Sequence, residues 1–150
     1  ASIGSQCFRK CTNLTSFVIP ESVTKIGHNV FEYCTSLTEF TIPNTVTSLG
    51  EGVFAYCSGL TRFDFPSSIT SISDYFFQVC TSLTSVTIPS SVKSMKSTFV
   101  GCTSLTGVIE INANPNEYNV CFRDVNFTEQ NLTLTGSSEK LEKLIATGKK

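Results

Sequence analysis

The chain has 150 residues, 40% hydrophobic and 15% charged, with a formal net charge of −1, a length that suits one domain. That composition excludes a disordered acidic tail, and the near-neutral charge provides no basic field for a phosphate backbone, so no nucleic-acid partner is expected. No apolar run approaches the roughly 18 residues of a membrane helix, so no membrane span is expected either.

The first element, Ala1-Ser-Ile3-Gly4, is no signal peptide. It matches the interior of later segments (Ile26-Gly27, Leu49-Gly50, Ile72-Ser73). The expectation is a chain truncated at its N-terminus, whose uncapped first coil invites self-association or upstream repeats. From Cys11 onward one pattern returns: Cys, then Leu three residues on, two apolar residues at alternate positions, and Pro. It runs Cys11 to Pro20, Cys34 to Pro43, Cys57 to Pro66 and Cys80 to Pro89, a step of 23 residues that Phe8, Phe31, Phe54 and Phe77 also keep. A fixed period of about 20 to 50 residues is the signature of a solenoid.

Within a repeat, Val86 and Ile88 are two apart and share a strand face, while Thr87 takes the other. The Thr, Val, Ile and Phe content fits a pleated surface, and the period is nearer two than 3.6. Pro89 then ends the ladder, having no N–H to donate. A turn brings Val92 inward, and Val23-Thr-Lys-Ile26-Gly27 carries the chain back along the outer side, where Gly27 can supply a positive φ. Phe31 fills the coil centre. Such coils cannot bury their own apolar faces, but stacked ones can, at about 4.8 Å per step. Each position then becomes a column, such as Leu14/Leu37/Leu60/Leu83 or Ile19/Ile42/Phe65/Ile88. The fold class read from these columns is a mainly β solenoid of about 5–6 coils, forming a rod of roughly 25–30 Å.

The pattern resembles that of the BspA-like, Treponema-type leucine-rich-repeat proteins, whose repeat runs Cys/Asn-x-x-Leu-x-x-Ile-x-Leu-Pro-x-x-Leu-x-x-Ile-Gly-x-x-Ala-Phe. The likeness covers residues 3–105. Val30, Val53 and Phe76 depart from it by replacing the small Ala, and Phe76 demands local repacking. The resemblance implies a right-handed leucine-rich-repeat solenoid. It also implies a secreted or cell-surface location and a role in adhesion to host matrix or other cells.

Farther along, Cys102 and Leu105 arrive one residue early, yet Ile109 and Ile111 lie 23 residues after Val86 and Ile88. An extra residue must restore the register, which predicts a bulge or kink at Thr106–Val108. Leu132 and Leu134 lie a further 23 on, so 131–134 is expected as the last strand of the same sheet. Between them, Val120 to Phe122 takes the coil-filling role. Residues 112–150 are expected as a C-terminal cap, closed by a short helix over 138–147 from Leu141, Leu144 and Ile145 on one face. The alternative for that helix is a partner-binding element.

Seven cysteines raise the questions of metal and disulfides. Cys11, Cys34, Cys57, Cys80 and Cys102 follow the repeat and not the two-to-four-residue spacing of zinc sites. Their parallel Cβ vectors disfavour disulfides, so free buried thiols are the expectation, with pairing the alternative. No metal or cofactor is expected. His28, the one histidine, lies in a surface turn, and no Ser-His-Asp or Cys-His arrangement assembles. Glu39 and Asp64, with Arg62 beside Asp64, read as an ion pair and not as a glycosidase dyad. No enzyme is therefore expected. Asn13, Asn126 and Asn131 fit the glycosylation pattern, which this much Thr produces by chance.

The remaining candidate is the outward face of the strands. One row is a Thr column (Thr15, Thr38, Thr61, Thr84). The next reads Ser16, Glu39, Arg62, Ser85, and the third Val18, Thr41, Asp64, Thr87, with Glu110 if the bulge is right. Variation on a rigid sheet suits recognition of a protein or glycan, whereas plain solvated residues are the competing reading. Lys10, Tyr33 and Tyr56, each just before a Cys, form a second exposed row. The candidate functions are thus a non-enzymatic binding module and a structural spacer carrying another domain.

Overall fold

The computed structural model describes residues 1–110, 118–119, 122–123, 125 and 132–135. Among them the chain forms short strands and turns and no helix. The strands are β1 (Ser2–Ile3), β2 (Lys25–Ile26), β3 (Glu39–Thr41), β4 (Ser48–Leu49), β5 (Arg62–Asp64), β6 (Ser71–Ile72), β7 (Ser85–Thr87), β8 (Ser94–Lys96), β9 (Gly107–Glu110), β10 (Tyr118–Asn119) and β11 (Leu132–Thr135). Every pairing is parallel. The concave ladder is β3-β5-β7, and the outer ladders are β1-β2-β4 and β6-β8-β10. Glu39 faces Arg62, which faces Ser85; Thr41 faces Asp64, which faces Thr87. The 23-residue columns are thus the pairing register of the sheet.

The apolar spacing has a simple local cause. Cys34 N–H donates to the Phe31 carbonyl at 3.0 Å and Leu37 N–H to the Cys34 carbonyl at 3.3 Å. Val46 N–H likewise donates to the Pro43 carbonyl at 3.1 Å. Each corner is therefore a four-residue β-turn, and each turn returns an apolar side chain to the interior. Phe31, Cys34, Leu37, Val46, Phe54, Cys57 and Leu60 are all fully buried.

Through the centre runs an aromatic spine. Phe8 stacks on Phe31 at 5.5 Å, Phe31 on Phe54 at 5.3 Å, Phe54 on Phe77 at 6.4 Å, Phe77 on Phe99 at 5.8 Å and Phe99 on Phe122 at 5.0 Å. Phe122 is buried, so it fills the coil centre as its sequence position predicts. The large Phe76 is also fully buried and crosses Phe77 edge-on at 4.8 Å.

Several expectations need correction. Gly27 and Gly50 do not adopt a positive φ. They serve close approach instead: a Cβ on Gly50 would stand 2.4 Å from the Gly27 carbonyl carbon. Positive φ falls two residues later, at Asn29 (54°) and Gly52 (60°), and again just before each Cys, at Tyr33 (61°) and Tyr56 (60°). In the first coil, Ser16–Val18 lies outside the concave ladder. Near the end, Thr106 N–H still donates to the Thr84 carbonyl at 3.1 Å, so the shortened register persists that far. In place of a bulge within one sheet, β9 is a regular strand in a separate ladder with β11. The pairing there is Leu132 to Gly107 and Leu134 to Ile109, a step of 25 instead of the expected 23. The expected helix over 138–147, and Asn126 and Asn131, lie outside the described residues.

Candidate functional site

The concave ladder alternates by the two-residue period of a strand: Phe40 and Phe63 face the core, while Glu39, Thr41, Arg62 and Asp64 face water. An open concavity of about 1030 Å³ lies over this face. Its polar lining includes Ser16, Glu39, Thr41, Arg62 and Asp64, and Val18 joins them. Ser85 and Thr87 continue the same rows on β7 beyond that concavity. Glu110 closes β9, in the other ladder. The expected site residues are therefore brought together in part: six in one concavity, two beside it and one apart.

Arg62 corrects an expectation. Its partner is Glu39 and not Asp64: its Nη2 donates to Glu39 Oε2 at 2.9 Å and its Nε to the same oxygen at 3.2 Å. The cause is register, since Glu39 faces Arg62 directly across the ladder, whereas Asp64 sits two residues along its own strand. Both side chains are largely exposed. The Glu39 carboxylate raises the Arg62 pKa above its ordinary value, first by hydrogen bonding and then by charge. Asp64 makes no ion pair of 4.0 Å or less among the described residues.

Two lining residues were missed by sequence reasoning, Glu21 and Asn44. Each directly follows a repeat Pro, and that column reads Glu21, Asn44, Ser67, Ser90, as variable as the rows that were chosen. With Glu21, Glu39 and Asp64 against Arg62, the concavity has a formal charge of −2. Val18 stands at one end, 86% exposed, in the column that holds Thr41 and Asp64 in the next coils.

On another edge, Tyr33 and Tyr56 are half-buried and stack at 4.6 Å with planes 9° apart. Arg9 and Lys10 approach the Tyr33 ring at 5.9 and 6.0 Å, and Arg9 Nε also bonds Glu32 at 3.0 Å. His28 is exposed, with Nδ1 accepting from Glu51 N–H at 2.9 Å.

No disulfide joins the described cysteines to one another. Cys34, Cys57, Cys80 and Cys102 are buried, and each Sγ lies 3.0–3.1 Å from the carbonyl of a coil-filling Phe in the preceding coil. Burial pushes the Cys34 thiol up to about 11 and Cys102 up to about 12. Burial, and then neighbouring thiols, raise Cys57 and Cys80 as well. They are structural groups, poorly suited to nucleophilic chemistry. Among the described residues no three His, Cys, Asp or Glu side chains converge to hold a metal, and no helix is long and apolar enough to cross a membrane.

A family model described as the BspA type leucine rich repeat region matches residues 1–138 in six copies. The chain belongs to this family. Among solved structures, it is similar to the leucine-rich-repeat protein of Treponema pallidum, with a TM-score of 0.76 at 21% identity over 98% of this chain and 76% of that one. It also resembles a leucine-rich cell surface protein from Faecalibacterium prausnitzii, with a TM-score of 0.58 at 31% identity over 93% of this chain. A third relative, from Eubacterium ventriosum, gives a TM-score of 0.59 at 25% identity over 69% of this chain. The chain spans 44% of the Faecalibacterium protein and 30% of the Eubacterium protein. A comparison with curated protein sequences found no match.

Proposed function

We propose that this repeat region is a non-enzymatic binding module of a secreted or cell-surface protein, which presents its concave sheet to a protein or glycan partner in adhesion. One observation carries the reading. On β3, β5 and the segment beside them, the inward residues keep one chemistry, while the outward ones change from Ser16 to Glu39 to Arg62 and from Val18 to Thr41 to Asp64. Packing demands nothing of these exposed positions. Their variety on a rigid ladder is what a specific partner can read. The surface location draws support from the Faecalibacterium relative, itself described as a cell surface protein.

The test is capture from extracellular-matrix and cell-surface extracts by the intact chain, set beside the double variant Glu39→Lys/Asp64→Lys. Loss of the captured partner with an unchanged melt supports concave recognition. Capture that persists unaltered moves the site off this face, and no capture by either protein favours a spacer. Self-association through the first coil, where Ile3, Phe8, Leu14 and Phe17 are only partly buried, is a further part of the proposal. A monomer by light scattering at high micromolar concentration would exclude it.

A further inference from the structure

Three features fall on one boundary, between coils 34–56 and 57–79. First, the outer ladder is interrupted there: β4 ends one three-stranded sheet and β6 begins another. At the preceding boundary Thr47 N–H reaches the Thr24 carbonyl at 2.9 Å and Gly50 N–H reaches the Ile26 carbonyl at 2.8 Å. The equivalent donors at the interruption, Thr70 N–H and Ser73 N–H, make no backbone bond to the preceding coil. Serine hydroxyls bridge instead, Ser73 Oγ to the Leu49 carbonyl at 2.8 Å and Ser68 Oγ to the Val46 carbonyl at 2.6 Å.

Second, Ser73 occupies the column of Gly27 and Gly50. That column has no room for a side chain, because a Cβ on Gly50 meets the Gly27 backbone at 2.4 Å. A serine there must hold its strand off the coil behind it. Third, the aromatic spine takes its widest step at this boundary, 6.4 Å with a 21° tilt between Phe54 and Phe77. Phe76 stands beside that step, 5.6 Å from Phe54 and 4.8 Å from Phe77.

The break is confined to the outer ladder: Gly52, Phe54 and Tyr56 N–H still reach the Asp74, Phe76 and Gln78 carbonyls at 3.0, 3.0 and 2.7 Å, and the concave side is also continuous. β3 pairs with β5 residue for residue, Thr61 Oγ1 donates to the Thr38 carbonyl at 3.1 Å, and the Glu39–Arg62 pair spans the same boundary. We propose that this boundary is the rod's hinge, released along the outer ladder by Ser73 and Phe76 and held by the β3–β5 ladder and the bonds of residues 52, 54 and 56. Packed coils with a full hydrogen-bond ladder resist bending, whereas an interrupted ladder opens locally at low cost. Bending there turns the strand of Glu39 and Thr41 against the strand of Arg62 and Asp64, so the hinge adjusts the curvature of the candidate site. That use of the hinge rests on the recognition reading, but the hinge itself does not.

Amide hydrogen exchange on the intact chain tests it without any partner. In the natural sequence, Thr70 should show a protection factor lower than Thr47 by about fivefold or more, the worth of a missing backbone hydrogen bond. Its exchange should depend little on dilute denaturant, as local opening does and global unfolding does not. Ser73→Gly should raise Thr70 protection to the Thr47 level. Gly50→Ser should lower Thr47 protection and so move the hinge one coil back. Should that variant fail to fold, the first two measurements stand by themselves. Equal protection of Thr70 and Thr47 in the natural sequence overturns the proposal, as does a Thr70 value unmoved by Ser73→Gly. If the hinge is found and concave recognition is not, only the assigned use falls.

Discussion

Phe54→Ala is the sharpest test of the aromatic spine. Phe54 is fully buried, with Phe31 at 5.3 Å, Phe40 at 5.0 Å, Phe63 at 5.2 Å and Phe76 at 5.6 Å. Truncating a buried Phe to Ala costs about 3–5 kcal/mol in transfer and cavity terms. Each ring pair adds roughly 0.5–1.5 kcal/mol beyond its area, so the expected loss lies at the upper end, about 5 kcal/mol. A domain holds only about 5–15 kcal/mol in total, which puts the variant near the edge of folding. Phe54→Leu is therefore its companion, with an expected loss of roughly 1–2 kcal/mol, since most of the volume stays. Phe8 supplies the contrast. Its ring is half-buried at the edge of the core, and among the described residues it pairs with two rings, Phe31 and Phe17, so Phe8→Ala should cost no more than about half as much. Guanidinium melts followed by circular dichroism measure all three. A Phe54→Ala loss under about 1 kcal/mol, or a Phe8→Ala loss as large as that of Phe54→Ala, would refute the inward spine.

The thiols give two further outcomes. In native protein a thiol reagent should react rapidly at exposed Cys7 and slowly at Cys34, Cys57, Cys80 and Cys102, with all of them reacting after unfolding; rapid native reaction at Cys57 or Cys80 would contradict their burial. Stability should also fall in alkali. The folded chain holds these protons more tightly than the unfolded chain, whose thiols ionise near 9.0, so the contribution is complete below that value. It is lost as pH rises through about 11 for Cys34 and about 12 for Cys102. Chemical melts at neutral pH and at about pH 10 should therefore show a lower midpoint in alkali, and an equal or higher one would count against the burial of the thiols.

The fold was legible because packing imposes a rule on every coil. Leu37, Leu60 and Leu83 must all face inward, so repetition in the sequence reports repetition in space. The outward rows were legible for the complementary reason, since Glu39, Arg62 and Ser85 alternate with buried residues on one strand each. The partner of Arg62 needed the register itself: Glu39 lies directly across a ladder with a spacing of about 4.8 Å, nearer than a same-strand neighbour two residues away. The role of Gly27 escaped because a glycine serves either an unusual dihedral or a close approach, and only the 2.7 Å between its absent Cβ and the Ser5 nitrogen decides between them. Ser73 was visible in that column, but its consequence depended on the same distances. The register change at β9 misled because restoring the 23-residue step in sequence does not oblige the strand to rejoin the ladder of β7.

The central claim is that residues 23 apart lie on adjacent coils. Nuclear Overhauser effects between backbone protons of facing residues test it most directly. Cross-peaks linking Phe40 with Phe63, Phe63 with Val86 and Ile26 with Leu49 are the predicted result. Their absence, or a run of helical contacts four residues apart between residues 25 and 96, would contradict the stacked solenoid.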